Sequence, residues 1–252
     1  MELIAVRESY QSEIESLESN MTYVSSELEK LETYFVLSEF YQYYAIADYL
    51  LSLDEEHLIK SLQRSIEYKL SALKNRLSHN SINKYYCASN LGAIYSSLIV
   101  GEVGLTKELI NNSSKVFEQD YELFEDFQFA QLIHGLVVNN FSLTPELVNI
   151  FDAWADSEIE SEPEKVAIFK SIIEKNSEAL HLAVVDYSQA YNMKIEKKWL
   201  FAIVKDEELT IKKYCSYELA GYLSIALKTG LIIKDDYSLN PFKFLLKSNP
   251  DL

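Results

Sequence analysis

The chain is poor in the residues that build turns and catalytic loops. Six glycines and four prolines in 252 residues disfavour a turn-rich β sandwich and a doubly wound sheet with glycine-rich phosphate loops. No GxSxG, GxGxxG or P-loop sequence occurs, so no local signature marks a nucleophile or a phosphate cradle. The two cysteines, Cys87 and Cys215, fit no CxxC or zinc spacing and are expected as reduced core thiols. The four histidines, His57, His79, His134 and His181, include no HExxH pair. Basic side chains are also scarce, 23 against 39 acidic ones, for a formal net charge of −16. That charge keeps a protein in solution. Its field also repels nucleic-acid phosphates and anionic lipid and steers basic partners inward, so no nucleic acid and no membrane is expected as a partner. The longest stretches without a formal charge, Tyr85 to Gly101 and Phe127 to Thr144, are interrupted by polar residues and make poor membrane spans. MELIAVRESY lacks the basic start and apolar run of a secretory signal, which predicts a cytoplasmic location.

What remains is helical. Hydrophobic residues make up 48% of the chain, enough for a full core. From Tyr10 the apolar positions Ile14, Leu17, Met21, Val24, Leu28, Leu31 and Phe35 follow at alternating spacings of four and three, a heptad seam that predicts one long N-terminal helix. The seam serves packing within the chain or, alternatively, a homodimer. Ser52-Leu53-Asp54-Glu55 reads as a capping box with Ser52 as N-cap. SHNSIN, Ser78 to Asn83, predicts a break. Thr144-Pro145 and Ser161-Glu162-Pro163 are helix starts, with proline at the first helical position. Leu219, Tyr222, Leu223, Ala226 and Leu227 draw one stripe along a terminal helix that ends at Lys228 and Gly230, after which the chain is expected to fold back over the core. The expected architecture is all-α: a single domain of antiparallel helical hairpins over 1–252, comprising a long N-terminal helical region (1–51), hairpins (52–210), and a C-terminal helix with its tail (211–252). Hairpins recur at roughly 40-residue intervals, as in helical-repeat arrays, without a tetratricopeptide consensus.

Candidate chemistry is sparse. Glu178-x-x-His181 and Asp54-Glu-Glu-His57 have the Glu-x-x-His form used in di-iron bundles, where two such elements and two further carboxylates are needed. A metal-dependent helical enzyme on Glu178 and His181 is therefore one alternative, though no catalytic residue, cofactor or metal is assigned. The segment FEQDYELFEDFQF interleaves carboxylates with aromatics. It reads either as an amphipathic helix with a solvated face or as a patch that grips a basic protein through Glu118, Asp120, Tyr121, Glu122, Glu125 and Asp126, with Phe117, Tyr121 and Phe124 able to face inward. A second acidic run, Asp152, Asp156, Glu158 and Glu160 around Trp154, offers the same two readings. Trp199 is read as core.

Three stretches carry a family likeness: YYAIADYLLSLD (Tyr43 to Asp54), YYCASNLGAIYSSLIVGEVG (Tyr85 to Gly104) and YELAGYLSIALKTGLIIKDDYSLNPFKFLL (Tyr217 to Leu246). In the last, Ala-Leu-x-x-Gly precedes an acidic spacer and Pro-x-x-x-Leu. Over Tyr34 to Leu246 the pattern resembles the all-helical immunity protein 49 family of bacterial polymorphic toxin systems, and its ending is also similar to helical immunity proteins that guard against DNase effectors. The resemblance implies a cytosolic, non-catalytic protein that binds a cognate toxin and blocks it. The acidity suits a basic toxin such as a nuclease. The alternative is an α-helical repeat adaptor that binds a peptide or regulatory protein in a concave groove.

Overall fold

The computed structural model describes residues 2–75, 84–158, 160–203, 206–234 and 237–242. The expected break at Ser78 to Asn83, the Asp235-Asp236 turn and the tail from Phe244 to Leu246 lie outside them. Among the described residues there are eleven α-helices and no strand, so the protein is all-α. They are α1 (Glu2–Met21), α2 (Glu27–Ser52), α3 (Glu55–Asn75), α4 (Gly92–Ile99), α5 (Val103–Asn112), α6 (Phe124–Val138), α7 (Pro145–Glu158), α8 (Pro163–Ile173), α9 (Ser177–Phe201), α10 (Glu207–Lys212) and α11 (Tyr217–Lys228). None is long and apolar enough to cross a membrane.

The N-terminal seam does not lie on one helix. The chain reverses between Met21 and Glu27, where Ser26 takes an extended conformation and its hydroxyl accepts from Glu29 N–H at 3.4 Å. α1 and α2 pack antiparallel: Arg7 reaches Asp48 at 3.5 Å, and the Tyr10 ring lies 5.4 Å from Phe40 and 5.5 Å from Tyr43. The heptad spacing survives because each half of the hairpin presents its own stripe, Tyr10 and Ile14 on one side and Leu31 and Phe35 on the other. Leu28, a seam position, is 47% exposed beside the turn. Four of the eight seam positions, Tyr10, Ile14, Leu31 and Phe35, are thus buried within the chain, while Leu17, Met21 and Val24 are half-buried.

α3 returns antiparallel along α2, joined by a buried exchange in which Ser38 Oγ donates to Ser65 O at 2.8 Å and Ser65 Oγ to Ser38 O at 2.6 Å. The cap of α3 sits two residues later than the capping box predicts. Leu53 turns left-handed (φ 57°) to end α2, and Asp54, through Oδ1, accepts from His57 N–H at 3.0 Å. The end of α2 explains the shift: Ser52 is still its last helical residue, so Asp54 is the residue placed to reach an orphan donor of α3, while the Ser52 hydroxyl accepts from Asp54 N–H at 3.1 Å.

The proline-marked starts fall where the sequence places them. α7 opens at Pro145 with Thr144 Oγ1 accepting from Leu147 N–H at 3.3 Å, and α8 opens at Pro163. Gly230 takes φ 88° just past α11, the left-handed geometry that glycine adopts at least cost. α11 itself is buried on every face from Leu219 to Ala226, so the single stripe understates it: a helix wrapped on all sides has no solvent face to mark. Its Gly221 lies so close to α4 that a Cβ there would meet the Tyr95 ring at 2.3 Å.

Around α11 the larger core cluster gathers aromatics from α6, α7 and α8, with the Trp154 ring 4.8 Å from Phe129 and Phe169 5.1 Å from Tyr222. A second cluster joins α1, α2 and α3 to Ile211, Cys215, Ala220 and Phe242, the last packed 5.6 Å from Tyr49. Cys87 and Cys215 are both buried.

Candidate functional site

The interleaved segment is a loop before it is a helix. α5 ends where Asn112 Nδ2 donates to Glu108 O (2.9 Å) and Ser113 Oγ to Leu109 O (2.9 Å). Ser114 N–H then donates to Tyr86 O at 3.0 Å, and α6 begins only at Phe124. Side-chain bonds to local backbone outcompete the helical ladder here. The decisive group is Glu122, whose carboxylate accepts from Ser89 N–H and from Glu118 N–H, both at 3.1 Å. Glu122 is buried, so it is a brace and not an outward contact.

The expected division of faces therefore fails at Glu122, which turns inward, and at Tyr121 and Phe124, which face outward. Val116 (67% exposed), Tyr121 (50%), Leu123 (67%) and Phe124 (51%) face solvent. Beneath them the Phe124 ring stands edge-on to Phe117 at 5.3 Å, with Phe127 5.7 Å from Phe117. Asp120 and Asp126 are exposed around this knob, and Glu118 and Glu125 are half-buried. Replacing Glu122 by alanine leaves two backbone N–H groups of the brace without their acceptor. The expected loss is about 2–4 kcal/mol, read from urea unfolding, whereas a surface contact residue would be near neutral.

The second acidic run is divided by the helix that carries it. Asp152 and Asp156 are exposed on α7 and Glu160 is exposed just beyond, whereas Trp154 is fully buried among Phe129, Phe151 and Phe169. Trp154 is core, not a partner contact. The Glu158 carboxylate takes the Ser161 hydroxyl at 2.9 Å. One link between the two runs does form: the Asp126 carboxyl is raised above the ordinary range first by the surrounding protein and then by the charges of Glu158, Glu162 and Glu125, against the pull of Lys165. Its side chain nevertheless stays open to solvent.

Asp126 also stands in a cleft of about 1040 Å³ that sequence reasoning missed. α2 supplies one wall with Phe35, Glu39 and Tyr43, and α9 the other with Tyr187, Tyr191, Lys194 and Lys198. The N-terminal turns of α4 and α11 contribute Asn90, Gly92, Tyr217 and Glu218. Its phenols are held in place: Tyr217 Oη lies 2.5 Å from Ser96 Oγ, Tyr187 Oη 3.4 Å from Ser216 Oγ, and Tyr191 Oη donates to Cys215 O at 3.4 Å. Lys69, at the inner end, is buried. It donates to Tyr85 O at 3.1 Å and lies 4.7 Å over the Phe35 ring, while burial lowers its amine to about 7, opposed by the Glu39 charge. One signal could have found this site: Tyr187, Tyr191, Lys194 and Lys198 recur at spacings of four, three and four, a face that is aromatic and charged at once.

The candidate metal residues do not converge. Glu178 is exposed in the first turn of α9, His181 Nδ1 lies 3.2 Å from Tyr237 Oη, and Asp54 caps α3 beside His57. Among the described residues no three His, Cys, Asp or Glu side chains group as metal ligands. Trp199 is half-buried with the Lys213 amine 4.1 Å from its ring centre, and beyond it Leu200, Phe201 and Ile203 form a second exposed apolar tip.

Compared with known protein families, curated proteins and solved structures, the chain matches none.

Proposed function

We propose that the protein binds a basic protein toxin in the cytoplasm and neutralises it by stoichiometric occlusion, as an immunity protein does. The observation that supports this is the knob of Val116, Tyr121, Leu123 and Phe124, exposed over an aromatic base and flanked by Glu118, Asp120, Glu125 and Asp126. Exposed aromatics at the centre of a charged rim are the composition of interface hot spots, and the carboxylates add attraction for a basic partner during encounter. The resemblance noted above supplies the biological setting, and Asp152, Asp156 and Glu160 add exposed carboxylates on and just after α7.

Co-expression with the product of the adjacent gene tests the proposal, read as rescue of growth and as co-purification. Tyr121→Ser combined with Phe124→Ser is expected to weaken the complex at least thirty-fold, in line with hot-spot losses of about 2 kcal/mol or more, with the thermal midpoint little changed. Raising salt should slow association far more than it speeds dissociation. A toxic neighbour that is neither bound nor neutralised would sink the proposal.

The tyrosine-lined cleft favours a second reading, an α-helical adaptor that holds a peptide of a cellular regulator. Capture of such a peptide, with no rescue from the neighbouring product, would favour the adaptor.

A further inference from the structure

The cleft holds an arrangement that the knob does not need. Glu218, in the first turn of α11, opens into it and is exposed there. Among the described residues it makes no ion pair, and its one hydrogen bond comes from Tyr222 Oη at 3.4 Å. Rings of Tyr95, Tyr187 and Tyr191 continue from Tyr222: Tyr95 stands edge-on to it at 5.8 Å, Tyr187 at 6.1 Å, and Tyr191 stacks on Tyr187 at 6.0 Å. The charge of Glu218 is felt at all four hydroxyls, each of which is pushed upward first by burial. A carboxylate with no cation on it among the described residues, bordered by the half-buried rings of Tyr187 and Tyr191 over the buried Tyr95 and Tyr222, is a cage that lacks its positive centre.

Most of the cleft's own lysines are committed elsewhere. Lys165 and Lys194 pair with Glu162 at 3.2 and 3.3 Å, Lys212 pairs with Glu208, and Lys69 is turned to Tyr85 O. Two of them show how this interior treats a cation. The Lys165 amine sits 4.0 Å from the centre of the Phe129 ring, and Lys69 sits 4.7 Å from that of Phe35. An incoming cation at Glu218 would find the same ring-face attraction together with an unneutralised carboxylate. A planar guanidinium uses both, because it stacks on a ring while its edge donates to the carboxylate. A small anion gains nothing there, since Glu218 repels it.

We infer that the Glu218 cage is a guanidinium-binding subsite that takes an arginine side chain of the protein partner. This rests on the reading of the chain as a binder of a basic protein. It adds a second point of recognition, inside the cleft, to the exposed knob. The shared chemistry could also come from a free small guanidine, and the test separates the two sources.

The experiment titrates the whole protein with acetyl-arginine amide, acetyl-citrulline amide and agmatine, followed by calorimetry and by NMR of the tyrosine rings. Saturable binding of acetyl-arginine amide is expected. Citrulline, which keeps the shape and loses the charge, should bind at least ten-fold more weakly. Glu218→Gln should weaken the arginine probe at least ten-fold with an unchanged thermal midpoint, since the side chain is exposed. Tyr191→Leu, which keeps bulk and removes the ring face, should weaken it by a smaller factor. Glu125→Gln, which removes a knob carboxylate, should leave it unchanged and so controls for attraction to the net charge. Equal binding to wild type and Glu218→Gln would overturn the assignment, as would no binding of the arginine probe. Tighter binding of agmatine than of the blocked arginine would overturn the protein side chain as its source. Because no toxin is present in this titration, failure of toxin rescue removes the proposed partner without touching the cage, and failure of the cage leaves the knob standing.

Discussion

Trp154→Ala is expected to destabilise the fold by about 3–5 kcal/mol, the range for truncating a large buried aromatic. The ring is fully buried and meets Phe129 at 4.8 Å, Phe169 at 5.9 Å and Phe151 at 6.1 Å, with the Lys165 amine 5.6 Å from its centre. Alanine opens a cavity at the junction of α6, α7 and α8, whose walls are themselves large rings and cannot collapse far. Trp154→Phe should recover more than half of the loss, because it restores a ring and the buried indole N–H has no partner among the described residues. Urea unfolding followed by circular dichroism measures both. If Trp154 were a partner contact instead, Trp154→Ala would leave the unfolding midpoint in place and abolish only binding.

The second large effect is a loss of stability in mild acid that originates at His134. Its ring is buried on α6, neither nitrogen has a partner among the described residues, and burial, reinforced by the Lys115 charge, lowers its pKa to about 3. The unfolded chain binds this proton near pH 6.5 and the folded chain does not. The contribution is therefore complete above about pH 6.5 and declines by about 1.4 kcal/mol for each pH unit below it, until the folded state protonates near pH 3. Between pH 7 and 5 most carboxylates remain ionised, while Lys69, its amine lowered to about 7, adds slope near pH 7, so it is the difference between wild type and His134→Leu that isolates the histidine. His134→Leu should flatten that slope, and at pH 7 it should raise stability, because an apolar side chain leaves no unsatisfied nitrogen behind. Thermal midpoints of both proteins at pH 5, 6 and 7 decide the matter; parallel curves would remove His134 as the origin.

Trp154 and Glu122 show why the site was less legible than the fold. Trp154 lies in sequence between Asp152 and Asp156, which invites an acidic patch with an aromatic centre. On an α-helix, residues two apart point to nearly opposite sides, so the same spacing that exposes the aspartates turns the tryptophan into the core. Glu122 was unreadable for another reason. One of its two partners, Ser89 N–H, lies 33 positions away in the chain, and no local pattern announces that a carboxylate will be drawn inward to satisfy a distant loop. The tyrosine-lined cleft needs α2, α4, α9 and α11 together, and each contributes only a few side chains that look ordinary on their own helix.

What the sequence determined by itself was the class and the punctuation: all-α from the scarcity of turn residues and the three-to-four spacing, and helix ends at Thr144-Pro145, Pro163 and Gly230. These are local effects, settled within one helical turn by backbone geometry and capping. The tertiary structure alone decided which apolar residues stay outside, where the N-terminal seam folds back on itself, and which carboxylates brace loops. Those outcomes depend on contacts between segments far apart in the chain, where the burial of one side chain is set by what another helix brings to it.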